Sequence, residues 1–314
     1  MIRQFPKLPT IIPRPRPRRL QRVCRMTIAA GFKCKDGVLL CADSQETIPD
    51  YLKMDALKVF VLQQAQHFRL GMTGAGDADL IDMTYQLFMK KFHRSPHDYD
   101  FIEQTIRDVM REVVRKYVIP YPTDERPWIH LLFALQIKDK PTILFKTSGM
   151  TVRRESRFAC VGATALAHYL MSAIHFDEMP ITRVRTFAIS MLKHVKEFDP
   201  NCGKDSDVLI LGDDWETHGF IDRDTIGVTE NEMEAVDRCL KDLFVSSTNP
   251  EASKAEILEQ LQHLASHIGR WRTVEKKCPP PLHPRLISAD PLRVKETITP
   301  DAQKADAKSA GEGQ

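Results

Sequence analysis

The sequence predicts an α+β fold in which two antiparallel sheets lie between pairs of helices. Strand-length apolar segments and helical segments both occur in groups, in the order β-β-β-β-α-α-β-β-β-α-α-β-β-α-α. Strands that follow one another through short turns pair antiparallel, whereas parallel strands need a long crossover between them. About nine strands are enough for two packed sheets with helices on the outside.

Apolar runs and turn signals place the strands. Asp36-Gly37 is a strong hairpin signal between the first two of them. The predicted strands span 27–33, 37–43, 57–63, 67–73, 128–137, 141–147, 157–161, 208–211 and 218–221.

Apolar residues three and four positions apart place the helices. Asp98 is the predicted N-cap of the second helix, and Pro120 marks its end. The predicted helices span 78–92, 99–118, 163–174, 182–198, 230–244 and 252–268.

The two ends of the chain differ in composition from the rest. Residues 1–25 are rich in proline and carry eight Lys or Arg and no Asp or Glu, which predicts an extended, unfolded segment. The end of the chain is polar and loses periodicity, which also predicts disorder. The predicted organisation is a basic extension at 1–26, one folded domain at 27–272 and a disordered tail at 273–314.

Charge and composition exclude several classes of protein. The chain carries +3 and residues 1–25 carry +8, so residues 26–314 carry −5, which does not predict a nucleic-acid partner. No apolar run reaches the ~18–20 residues of a membrane span, and no apolar core of a secretory signal is present. Seven cysteines without a C-x-x-C pair predict reduced thiols, a cytoplasmic location and no zinc ribbon.

The dipeptide Met26-Thr27 carries the most chemical information. If translation starts at Met26, the methionine is removed before a small residue and Thr27 becomes the N-terminus. Its α-amine, with an ordinary pKa near 8, is then partly neutral and serves as the base for its own hydroxyl. The other interpretation is that Thr27 is an ordinary strand residue.

From Thr27 onward the sequence resembles the N-terminal nucleophile hydrolases of the proteasome β-subunit type, a group that includes the bacterial proteasome-like ATP-dependent peptidase. The resemblance rests on an ordered set of motifs and covers 27–211. Its motifs are Thr27, the strand–turn–strand ending at Asp43-Ser44, Lys58-Val59, the segment TGAGDAD at 73–79, and the weaker turns VGATALA at 161–167 and DPNCG at 199–203.

This resemblance implies a four-layer αββα sandwich and a threonine hydrolase that cleaves peptide bonds. It implies that Thr27 is the nucleophile and that Asp43 pairs with Lys58 and orients it. The Lys58 ammonium would lower the pKa of the neighbouring amine and hydroxyl. Asp199 would anchor the site near the Thr27 amine.

The resemblance also assigns an oxyanion donor and two supporting turns. The donor is a backbone N–H of Gly74 or Ala75, in a predicted turn leading into a helix N-terminus. In the supporting turns the usual serines are replaced, one by Cys202 before Gly203 and the other by Ala163, with Thr164 as a neighbouring hydroxyl. Cysteine is a weaker donor than serine, and the alanine side chain donates nothing.

Relatives with this fold act in rings, so the resemblance implies a homo-oligomeric ring with a polypeptide substrate, and it leaves open an ATP-dependent unfoldase as partner. It implies no metal and no organic cofactor. Two alternatives remain open: a non-catalytic structural subunit of a proteasome-like assembly, and a small-molecule amidase on the same fold. Residues 1–26 are a propeptide, an artefact of an early start codon with Met26 as the true start, or a retained segment incompatible with this mechanism.

Overall fold

The computed structural model describes residues 27–48, 52–64, 67–92, 98–173 and 178–277. Its strands are β1 Ile28–Cys34, β2 Gly37–Asp43, β3 Gln45–Ile48, β4 Leu52–Asp55, β5 Val59–Gln64, β6 Phe68–Gly76, β7 Ile129–Ile137, β8 Ile143–Ser148, β9 Thr151–Glu155, β10 Phe158–Gly162, β11 Ser206–Gly212 and β12 His218–Phe220. Its helices are α1 Ala78–Phe92, α2 Tyr99–Val113, α3 Thr164–Ala173, α4 Ile181–Phe198, α5 Arg223–Thr248 and α6 Lys254–Lys277. A π-helical turn at Val114–Val118 continues α2.

Two five-stranded sheets form the centre of the fold. The first has the strand order β10-β1-β2-β11-β12 and the second the order β5-β6-β7-β8-β9. Every strand pair in them is antiparallel. A separate short hairpin, β3–β4, connects β2 of the first sheet to β5 of the second. This arrangement is the one expected for strands connected mainly by short turns.

Three apolar clusters arrange the elements in four layers. The middle cluster joins side chains of the facing sheets, such as Leu40, Leu132 and Leu209. The cluster outside the first sheet is completed by α3, α4 and the start of α5. The cluster outside the second sheet is completed by α1 and α2. The order helix, sheet, sheet, helix confirms the predicted αββα sandwich.

Two glycines permit close contact between the sheets. A Cβ on Gly71 of β6 would lie 2.6 Å from Leu209 Cδ2, and one on Gly31 of β1 would lie 2.7 Å from Leu144 Cδ1. Both gaps are shorter than van der Waals contact between carbons. At each glycine, a leucine from the opposite sheet therefore occupies the space that a side chain would take.

The structure corrects several predicted elements. The strands β3, β4 and β9 have no counterpart in the sequence prediction, because their polar sequences lack the apolar alternation that marks a half-buried strand. The predicted glycine turn before α1 is instead the end of β6, which continues to Gly76. Helix α5 starts seven residues before position 230, at an Asp222 cap that accepts a hydrogen bond from Thr225 N at 3.2 Å.

The predicted domain boundaries fall mostly outside the described residues. The extension 1–26 and residues 278–314 are not described, so their predicted disorder stays a prediction. Residues 273–277, which were assigned to the tail, are the end of α6. In the described part, no helix is both long and apolar enough to span a bilayer.

We expect Gly71→Val to lower the free energy of unfolding by about 1–3 kcal/mol, because the new side chain must displace Leu209 between the sheets. The control is Gly227→Ala in α5, where a Cβ meets nothing within 4 Å. That change should instead add about 0.5–1 kcal/mol, since alanine is the better helix former. Chemical denaturation of both variants measures these changes, and a neutral Gly71→Val would contradict the tight spacing.

Candidate active site

Thr27 lies directly before β1 and is 6% exposed. Its carbonyl oxygen accepts a hydrogen bond from Ala163 N at 2.8 Å, just before α3. Gly162 lies against the same carbonyl, with φ of +89° and a virtual Cβ only 1.7 Å from the oxygen. Only glycine fits there, so the end of β10 fixes the backbone of Thr27.

Asp43 ends β2 and its side chain is fully buried. Its Oδ1 accepts hydrogen bonds from the Thr27 hydroxyl and from Ile28 N, the latter at 3.1 Å. Its Oδ2 accepts one from Gly203 N at 3.0 Å. Both carboxylate oxygens therefore have donors, which a buried charge requires.

Lys58 directly precedes β5 and supplies the counter-charge. Its Nζ lies 3.0 Å from Asp43 Oδ1, and its side chain is 13% exposed. The same ammonium donates to the hydroxyl oxygen of Thr27 and to the carbonyl oxygen of Gln45. Thr27 Oγ thus lies between a carboxylate that accepts its hydrogen bond and a cation that stabilises negative charge on the oxygen.

The loop at 199–205 and the β3–β4 hairpin lie beside this cluster and contact each other. The loop at 199–205 continues the pairing of β11 with the end of β2, since Ser44 N donates to Asp205 O at 2.9 Å and Gln45 N donates to Gly203 O at 3.2 Å. On the hairpin, Lys53 Nζ donates to Pro200 O at 2.9 Å. The Gln45 carbonyl and the Gly203 N–H are held by these contacts.

Asp199 bonds within its own turn. Its carboxylate accepts hydrogen bonds from Asn201 N at 2.9 Å and from Asn201 Nδ2 at 3.0 Å, and its carbonyl accepts one from Cys202 N at 3.0 Å. Its backbone N–H also donates to Val195 O at 2.8 Å, and none of these hydrogen bonds among the described residues is to Thr27. The structure therefore gives Asp199 a role in shaping the turn that presents Gly203.

Cys202 is buried beside the cluster. Burial raises the pKa of its thiol, and the charges of Asp43 and Asp199 raise it further, while Lys58 acts in the opposite direction. A thiol with a raised pKa stays protonated at neutral pH and is a weak nucleophile. The electrostatics of the site therefore do not favour Cys202 as a reactive group.

The ladder between β6 and β7 separates Gly74 from Ala75. Leu131 N donates to Thr147 Oγ1, on the β8 side of β7, so the neighbouring His130 directs its backbone groups to β6. His130 is opposite Ala75, which turns the Ala75 N–H into that ladder and the Gly74 N–H to the other edge. On that edge β5 begins at Val59, immediately after Lys58.

The remaining predicted residues lie around the same end of the sandwich. Thr164 is the half-buried first residue of α3, next to the N–H that binds the Thr27 carbonyl.

The sequence does not predict the hydrogen bond from Lys58 to the Gln45 carbonyl, because every residue type has a main-chain carbonyl. In the described residues, no three His, Cys, Asp or Glu side chains are grouped to hold a metal ion.

Residues 26–211 match the family model described as proteasome subunit. The chain belongs to the proteasome subunit family. The match covers every strand up to β11 and leaves out β12, α5 and α6. A search of curated proteins gave no significant match.

Solved structures of proteasome-like proteins share the fold. Anbu (ancestral beta-subunit) from Yersinia bercovieri superposes with a TM-score of 0.61 at 15% identity, over 72% of this chain and 99% of the other. The helical assembly of the Anbu complex from Pseudomonas aeruginosa gives 0.61 at 14%, over 73% and 99%. Anbu from Hyphomicrobium sp. strain MC1 gives 0.58 at 15%, over 72% and 100%. These likenesses establish the fold.

We expect Cys202 to resist alkylation by a maleimide at pH 7–8 in the folded protein, because its thiol is buried and protonated. The half-buried Cys239 on α5 serves as an internal comparison and should react faster. Peptide-resolved mass spectrometry of the native and denatured protein measures both. Rapid modification of native Cys202 would show that the turn opens or that the thiolate is populated.

Proposed function

We propose that this proteasome-family chain is a threonine-type N-terminal nucleophile hydrolase that cleaves peptide bonds. The observation that carries the proposal is the buried cluster of Thr27, Asp43 and Lys58, in which the ammonium donates to the oxygen of the hydroxyl. A hydroxyl held between a hydrogen-bond acceptor and a cation is suited to attack a carbonyl carbon.

The proposed reaction has two steps. Thr27 Oγ attacks the carbonyl carbon of the peptide bond, and the hydroxyl proton passes to the Thr27 α-amine. The Gly74 N–H, which points to the Lys58 edge of β6, stabilises the oxyanion. The intermediate collapses by breaking the C–N bond, and the leaving amine takes the proton. Water then hydrolyses the ester on Thr27, with the α-amine again acting as base.

This mechanism requires a free α-amine on Thr27. Residues 1–26 must therefore be absent or removed, either because translation starts at Met26 and the methionine is excised, or because the Met26–Thr27 bond is cleaved. The first route is consistent with Met26 directly preceding a small residue. In a chain that retains residues 1–26, the nitrogen of Thr27 is part of a peptide bond and cannot act as the base.

The decisive experiment determines the N-terminus and the reactive residue together. We expect intact-mass analysis of the protein from its native cell to show a chain beginning at Thr27. A peptide epoxyketone, which reacts with a hydroxyl and an amine on one residue, should then label Thr27. Thr27→Ala should abolish labelling, whereas the control Thr151→Ala, at an exposed position on β9, should leave it unchanged. A retained extension, or labelling that survives Thr27→Ala, would exclude the mechanism.

Two observations keep the alternatives testable. The absence of serine at Ala163 and Cys202 favours a non-catalytic structural subunit, because both changes weaken the hydrogen bonding expected around the α-amine. A small-molecule amidase would share every contact described for Thr27. Turnover of a peptide library against a panel of small amides separates the two enzymes, and absence of all labelling points to the structural subunit.

We also propose that the chain forms a homo-oligomer and that α5 and α6 supply an assembly surface for a second copy. Beyond Met233, no described residue of these helices is buried. The second half of α5 and the first half of α6 expose five large apolar side chains: Leu240, Phe244, Val245, Leu258 and Leu261. Apolar surface concentrated on one helical hairpin is typical of a protein contact. The helical assembly of the Pseudomonas aeruginosa relative supports self-association. A ring and an ATP-dependent unfoldase are further hypotheses.

We expect Phe244→Asp to shift the chain to a smaller species, because Phe244 is 69% exposed on this surface and a charge there opposes apolar contact. The control Lys241→Asp changes charge on the same helix without removing apolar area. Light scattering after size-exclusion chromatography measures the mass of each variant. An unchanged mass for Phe244→Asp would place the interface elsewhere.

A further inference from the structure

Arg223, the first residue of α5, binds three carboxylates at once. Its Nη1 lies 2.9 Å from Asp55 Oδ2 and 2.8 Å from Asp205 Oδ2, and its Nη2 lies 3.0 Å from Asp207 Oδ1. Asp207 is buried in β11, whereas Asp55 and Asp205 are exposed. A planar guanidinium with five donors suits such a junction, and a lysine ammonium does not reproduce its geometry.

Two of the three carboxylates belong to the structure beside the candidate site: Asp55 ends the β3–β4 hairpin and Asp205 ends the loop at 199–205, while Asp207 follows in β11. Asp55 pairs with Gln45 in the β3–β4 hairpin, and the Gln45 carbonyl binds Lys58. The Asp205 carbonyl accepts a hydrogen bond from Ser44 N, and Ser44 directly follows Asp43, whose carboxylate accepts one from Gly203 N. Arg223 therefore joins, from outside, the hairpin that holds the cation and the loop that holds the carboxylate.

The loop needs such support because part of it is strained. Lys204 lies between Gly203 and Asp205 with φ of +59°, a left-handed conformation that is uncommon for residues other than glycine. A second ionic contact from α5 acts on the same segment. Lys196 Nζ binds Glu230 Oε1 at 2.7 Å and donates to the Lys204 carbonyl at 3.3 Å.

We propose that Arg223 is a positioning residue for the Asp43–Lys58 pair, so that α5, which lies outside the family match, sets the geometry of the active site. This inference rests on the proposed function. Without the guanidinium, the three carboxylates lose the cation that they share, and their mutual repulsion separates β4 from the loop. The Gly203 N–H then moves with the loop, and the Gln45 carbonyl moves with the hairpin.

The test compares Arg223→Gln and Arg223→Lys with Arg238→Gln. Arg238 is a suitable control because it is exposed on the same helix and pairs only at 3.9 Å with Glu234. We expect Arg223→Gln to lower kcat on a peptide substrate about 10- to 100-fold with KM within about twofold, since small displacements of catalytic groups have costs of this size. Arg223→Lys should recover part of the loss, and Arg238→Gln should have no effect.

Amide hydrogen exchange of residues 199–205 provides a readout that does not depend on activity. Exchange should increase in Arg223→Gln, because the Gly203 N–H is released from Asp43. If the wild-type chain shows no turnover, the proposed function fails, and exchange alone decides the positioning role. Wild-type kcat or unchanged exchange in Arg223→Gln would overturn the inference. If that variant does not fold, Asp205→Asn, which removes one exposed partner, should give the same changes at smaller size.

Discussion

The geometry of the candidate site depends on the burial of one carboxylate. Asp43 has no exposed surface, and a charge without contact with water is stable only when its oxygens accept hydrogen bonds and a cation lies nearby. The fold meets this requirement from three directions: the start of β1, the residue before β5 and the loop before β11. Displacing any of these would leave the carboxylate under-satisfied, so the requirement of Asp43 fixes where Thr27 and Lys58 lie.

The spacing of the two sheets makes this convergence feasible. Lys58 precedes a strand of the second sheet, whereas Thr27 precedes and Asp43 ends strands of the first, so their contact joins the two sheets at one end of the sandwich. Gly31 and Gly71 admit leucines from the opposite sheet and hold the layers close. At the end of the sandwich, Gly162 allows β10 to touch the Thr27 carbonyl. Glycines at three positions thus set distances on which the polar cluster depends.

Much of the fold and the side chains at the centre of the site could be predicted from the sequence. The strands β1 and β2 are apolar over most of their length, and Thr27, Asp43 and Lys58 stand at strand ends where their spacing carries information. The hairpin β3–β4 could not be predicted, because it is polar and is held by contacts with residues more than 100 positions away. Main-chain groups of Gln45 and Gly203 were equally hidden, since any residue type supplies a carbonyl and almost any an N–H.

The two serine replacements can be judged from these main-chain contacts. Position 163 holds the Thr27 carbonyl through its backbone N–H, and the turn at 202–203 holds Asp43 through the backbone N–H of Gly203. Replacing a serine side chain by the methyl group of Ala163 or the thiol of Cys202 leaves both contacts in place. In the proposed mechanism, the replacements therefore change only the side chains expected near the α-amine and spare the Thr27–Asp43–Lys58 geometry. A loss of the α-amine relay would slow proton transfer without disassembling the site.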